Sequence, residues 1–107
     1  MLQYEELKHS LLEEEGALNE LAEAISIGTL KDEIKQLEDE SAQEGFWNDI
    51  DNSNKVLQKL SGLKNKLTKY KDLKQDYEDT LTLIEMSDEE EDESMLDECT
   101  EGVERVK

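Results

Sequence analysis

"VLQKLSGLKNKLTKYKDLKQDYEDTLTLI", residues 56–84, sets Val56, Leu60, Leu63, Leu67, Tyr70, Tyr77, Leu81 and Ile84 at alternating steps of four and three, apart from one gap at Lys74. A repeat of that kind draws one apolar stripe along a helix and asks for helical partners to cover it. At 1.5 Å per residue the stripe is about 45 Å long. The spacing predicts a long helix over about 50–86.

Upstream, Leu7, Leu11, Leu18, Leu21 and Ile25 mark one face of a first helix, expected over about 2–26, with Glu14 on the seam. Gly16 weakens its middle by roughly 1 kcal/mol relative to Ala. "GTLKD", residues 28–32, reads as a stop and a restart: Gly28 supplies a positive φ, and Thr29 caps the next helix with Asp32 placed as in a variant capping box. That second helix is expected over about 30–43, burying Leu30, Ile34 and Leu37. Residues 44–49, "EGFWND", form the corner before the long helix, with Gly45 at the turn and Asp49 as the cap of a helix starting at Ile50.

Downstream, "SDEEEDES", residues 87–94, is a block of like charge that predicts a mobile loop. Leu96, Cys99, Val103 and Val106 restore a helical spacing over about 95–107, weakened by Gly102. A helix this short is marginal alone, so it docks or frays. The reading is all-α: an antiparallel helical bundle or coiled-coil-like hairpin of three to four helices, in a single helical domain spanning 1–107.

The composition agrees, being 35% hydrophobic and 39% charged with no Pro. The formal charge of −18 is uneven. Residues 1–54 carry 3 basic and 15 acidic groups, residues 55–74 carry 7 and 1, and residues 75–107 carry 2 and 14. Such a field repels bare nucleic acid and anionic membrane at long range and suits a partner presenting cations. One cysteine, Cys99, gives no intramolecular disulfide. The charged start and the lack of a long apolar run imply neither signal peptide nor membrane span, so a cytoplasmic setting is expected.

Catalytic and metal chemistry find little footing. "DIDNSN" sets Asp49, Asp51 and Ser53 at alternate positions, as in a calcium loop, but the sixth position is Asn54 and the twelfth Leu60, where Gly and a bidentate Glu are needed. His9 is the only histidine, and Cys99 at helical spacing from Leu96 and Val103 reads as a small core residue. No base is positioned beside a hydroxyl, and no cofactor or metal is expected. Lys55, Lys59, Lys64, Lys66, Lys69, Lys71 and Lys74 make the one basic stretch. They either contact RNA or flank the seam and face the acidic helices on either side.

Phe46 and Trp47, the only Phe and Trp, also admit two readings. As a plug they seal the open end of a bundle, each burying about 150–250 Å². As an anchor, Trp47 is exposed for another protein or domain. The expected structural anchors are Phe46, Trp47, Asp49, Val56, Leu60, Leu63, Leu67 and Tyr70.

"FWNDIDNSNKVLQKLSGLKNKLTKYKDL" resembles the amino-terminal helical domain of bacterial peptide chain release factor 2, where an aromatic pair, an acidic capping turn and a long Leu-rich helix with a Tyr follow in that order. "LKDEIKQLEDESAQEGFW" before it and "DLKQDYEDTLTLIEMSDEEEDE" after it match in order and spacing, so the resemblance runs from about Leu18 to Leu96. Ile50 departs from it, since the family commonly has Pro at that first helical position. The resemblance implies a part in translation termination at UAA and UGA. It also implies contact with the large ribosomal subunit near its GTPase-activating region and stalk, and with the remaining release-factor domains. The family's Gly-Gly-Gln loop and Ser-Pro-Phe tripeptide have no counterpart in a sequence without Gly-Gly or Pro. The catalytic and codon-reading domains are therefore expected beyond Lys107, and the fragment is expected not to be an enzyme. The competing expectation, from periodicity alone, is a free-standing acidic coiled-coil adaptor or chaperone-like protein dimerising through residues 56–84.

Overall fold

The computed structural model describes residues 2–107, and every regular element among them is helical. The helices are α1 (Leu2–Leu12), α2 (Glu14–Ala24), α3 (Ile27–Ser41), α4 (Ile50–Glu89) and α5 (Leu96–Val106), with short 3₁₀ turns at Phe46–Asn48 and Glu93–Met95. The class is all-α with one dominant helix, as the 3.5-residue repeat requires.

The chain packs as two compact units. One joins residues up to Leu21 with Lys71–Lys107, and the other is Ala22–Tyr70. Each has its own apolar core. In the first, Tyr4, Leu11 and Leu18 pack with Tyr77 and Ile84 of α4 and with Cys99, Val103 and Val106 of α5. In the second, α3 and the first half of α4 form a helical hairpin around Leu30, Ile34 and Leu60, with Ile25, Leu37, Leu63 and Leu67 packed beside them.

The division is written along α4 itself. Ser53, Val56, Leu60, Leu63, Leu67 and Tyr70 are buried or half-buried at steps of three and four; beyond them Leu73, Tyr77, Thr80, Ile84 and Ser87 are covered, with Leu81 and Leu83 half-buried beside them. Two successive three-residue steps, 67 to 70 to 73, turn the covered face part-way around the helix. The unbroken 70–74–77 register expected from sequence is thereby corrected: Lys74 is exposed and Leu73 takes its place.

Other boundaries also differ from expectation. The first helix is interrupted at Glu13, one residue before Glu14, which stands half-buried where the repeat calls for an apolar side chain. The reversal expected at Gly28 occurs at Ser26, with φ 52° in the left-handed region, and α3 begins at Ile27 without a side-chain cap. Turning there lets Ile25 and Leu30 reach the same core.

The acidic run is more ordered than like-charge repulsion suggested. Helix α4 continues to Glu89 and closes with a complete Schellman motif. Glu91 takes the left-handed position at φ 52°. Its N–H donates to the Asp88 carbonyl at 3.0 Å, and the Asp92 N–H donates to the Ser87 carbonyl, also at 3.0 Å. The Asp92 carboxylate then accepts from the Ser94 N–H at 2.9 Å and hydroxyl at 2.5 Å, which holds its pKa below the ordinary carboxylate value. Beyond the turn α5 docks through Cys99, Gly102, Val103 and Val106, all buried. Gly102 proves to be a packing residue: a Cβ there would lie 2.6 Å from Thr80 Oγ1 and 2.9 Å from its Cγ2.

Candidate interaction surface

The corner between α3 and α4, in the unit Ala22–Tyr70, is built by short-range hydrogen bonds. Gly45 has φ 85°, a conformation that side-chain-bearing residues rarely adopt. The Phe46 N–H donates to the Gln43 carbonyl at 3.2 Å and the Asn48 N–H to the Gly45 carbonyl at 3.0 Å, closing one 3₁₀ turn. Asp49 then extends, at φ −108° and ψ 96°. Its Oδ1 accepts the Asn52 N–H at 3.1 Å, capping α4. The buried Ser53 hydroxyl shares its proton between the Phe46 carbonyl at 2.6 Å and the Asp49 carbonyl at 2.8 Å. This hydroxyl fastens the turn to the helix that follows. Its signal in the sequence is its position three residues before Val56, which extends the seam by one step.

That framework separates the aromatic pair. Phe46 is buried at 7% exposure, whereas Trp47 is 64% exposed and touches Phe46 edge-on, with ring centroids 5.2 Å apart and planes at 84°. The joint plug is thus corrected: a 3₁₀ turn points consecutive side chains in different directions, so only one ring enters the core. Ile50, three residues on, is 69% exposed. Glu44, Asp49 and Asp51, the charged neighbours of these two in sequence, are exposed, and no cation occurs between Lys35 and Lys55.

Beyond the turn the sign of charge reverses. Lys55, Lys59, Lys66 and Lys69 are exposed on one stripe of α4 that flanks the covered face of Val56, Leu60, Leu63 and Leu67. Lys64 pairs with Glu38 of α3 at 3.5 Å. It is the one lysine of the basic stretch with an ion pair among the described residues. Lys71 and Lys74 belong to the other unit and are exposed there.

The unit containing Lys71–Lys107 holds a buried polar cluster rather than a reactive site. The Tyr4 hydroxyl donates to the Asp92 carbonyl beneath the acidic turn. Burial, with the nearby Cys99 and Asp92, pushes the Tyr4 phenol up, and burial also raises the Cys99 thiol. A buried, protonated thiol is a poor nucleophile. Among the described residues no three His, Cys, Asp or Glu side chains are grouped so as to hold a metal ion. Among the described residues no helix is long and apolar enough to cross a membrane.

The model of the PCRF domain family matches residues 30–107, nearly three quarters of the chain. This chain belongs to the PCRF domain family. Three relatives, each named peptide chain release factor 2, show the extent of the likeness. The protein of Saccharopolyspora erythraea is 33% identical over 77% of this chain and 22% of its own length. That of Petrotoga mobilis is 30% identical over 89% of this chain and 25% of its own, and that of Nautilia profundicola 30% over 98% and 28%. The chain therefore spans about a quarter of the length of the curated relatives it matches. No solved structure matches it. The PCRF match takes in the aromatic turn, the lysine stripe and α5, and leaves α1 and α2 outside.

Proposed function

We propose that this PCRF-domain chain is a non-catalytic recognition module of a translation release factor of the second type. The observation that carries the reading is the family match over 30–107, which includes every residue of the candidate surface. In the whole factor, peptide release at UAA and UGA falls to Gly-Gly-Gln and Ser-Pro-Phe elements, neither of which occurs in these 107 residues. The task left to the helices is contact with the ribosome, at the large-subunit GTPase-activating region and stalk, and with the other release-factor domains. Lys55, Lys59, Lys66 and Lys69 span about 21 Å of α4. They offer unpaired ammonium groups to ribosomal RNA phosphates, an attraction that weakens as salt rises.

The adaptor reading needs the 56–84 stripe as a dimer interface. Leu60, Leu63 and Leu67 are packed against α3, and Tyr77 and Ile84 against α1 and α5, of the same chain. That occupancy favours the release-factor reading. A release assay on stop-programmed bacterial ribosomes tests it. The 107-residue chain added to a full-length factor is expected to slow release by competition, and to release nothing alone. Peptide release by the chain itself, or absence of competition at saturating chain, refutes the proposal.

A further inference from the structure

We infer that Trp47 and Ile50 form a docking knob for a folded protein surface, one with an apolar pocket ringed by Lys or Arg side chains. The inference rests on the ribosomal reading above and names the class of partner at the aromatic turn.

Exposure is the first ground. The only Trp of the chain, on the 3₁₀ turn, is 64% exposed and Ile50, three residues on at the start of α4, is 69% exposed, although the same corner buries Phe46 to 7%. The corner had an apolar core available and placed these two side chains outside it. Large side chains of this kind dominate protein recognition when they enter a dry pocket.

Preorganisation is the second ground. Gly45, the 3₁₀ turn, the Asp49 cap and the doubly accepted Ser53 hydroxyl fix the backbone on both sides of Trp47. Little ordering is left to be done on binding, which is the condition under which a small knob holds well.

Charge decides the partner. Glu44, Asp49 and Asp51, the charged neighbours of Trp47 and Ile50 in sequence, are exposed, and the nearest cations along the chain are Lys35 and Lys55. A nucleic acid stacking a base on the indole would bring its phosphates towards these acidic groups, where they are repelled. A protein pocket with a cationic rim gains from the same groups.

The test is co-sedimentation of the 107-residue chain with purified bacterial 70S ribosomes. Trp47→Ala is expected to weaken binding by about 30-fold or more, and Ile50→Ala by less. Met86→Ala, which truncates an apolar side chain 56% exposed in the other unit, should leave binding unchanged. Charge reversal separates the two classes of partner. Glu44→Lys and Asp51→Lys weaken binding to a cationic protein rim and strengthen binding to RNA. Helical circular dichroism equal to wild type keeps the comparison free of folding effects. Wild-type binding that Trp47→Ala leaves intact, or that Glu44→Lys strengthens, overturns the inference while the ribosomal reading survives. Failure of the wild-type chain to co-sediment overturns both.

Discussion

Replacing Gly102 with Ala should destabilise the protein, although the same change normally stabilises a helix. Ala is favoured over Gly by about 1 kcal/mol in a helix interior. Against that, the new Cβ would sit 2.6 Å from Thr80 Oγ1, 2.9 Å from Cγ2 and 3.3 Å from Cβ. Thr80 is itself only 3% exposed and lies within α4, and a β-branched side chain in a helix has few rotamers to retreat into. Helix α5 must then shift away from α4, at an overpacking cost of about 1–3 kcal/mol. The balance is a net loss of about 1 kcal/mol. Gly62 supplies the contrast: it lies within α4 with nothing near its missing Cβ, so Gly62→Ala should gain the full propensity term of about 1 kcal/mol. Urea denaturation followed by helical circular dichroism measures both changes. Thr80→Ala removes the two closest atoms, so a double-mutant cycle with Gly102→Ala should show a favourable coupling of about 1–2 kcal/mol. A Gly102→Ala protein as stabilised as Gly62→Ala, or a cycle without coupling, would refute the packing assigned to this glycine.

Two further outcomes follow from groups held in unusual settings. Glu91 occupies the left-handed position that ends α4, so Glu91→Gly should raise stability by about 1 kcal/mol, read as a higher urea midpoint; an unchanged midpoint would mean that the turn is not closed this way. Burial raises the phenol pKa of Tyr77, as it does that of Tyr4. A group whose folded pKa lies above its unfolded value stabilises fully below the unfolded value, near pH 10, and that contribution is lost as pH rises through the folded pKa. Urea midpoints should therefore fall at alkaline pH, and Tyr77→Phe should flatten part of the fall.

Much of this architecture was legible in the sequence. The 3.5-residue repeat of Val56, Leu60, Leu63, Leu67 and Tyr70 required a long helix covered on one side, and each of these positions is covered. Asp49 was readable as a cap because a carboxylate three residues before a free amide has one obvious use. The register change at Leu73 was not readable, since Leu73 and Lys74 are adjacent and only the position of the second core chooses between them. The same holds for Ser26 against Gly28: propensity favours glycine for a positive φ, and tertiary placement of Ile25 and Leu30 overrode it. Repulsion among Asp88, Glu89, Glu90, Glu91 and Asp92 suggested disorder, but a backbone motif and the Tyr4 hydroxyl both pay out locally in hydrogen bonds that composition does not reveal. The aromatic pair divided for a similar reason, because sequence places two rings side by side while the turn decides which way each one faces.

The outward indole has a spectroscopic corollary. With its only Trp already bathed in solvent, the protein should emit at long wavelength when native and change little when denatured, so a melting curve excited at that chromophore would look nearly flat while the helices were being lost. The same residue should respond strongly, by a blue shift, when something closes over it. Its fluorescence is thus a poor witness to folding and a good one to capture.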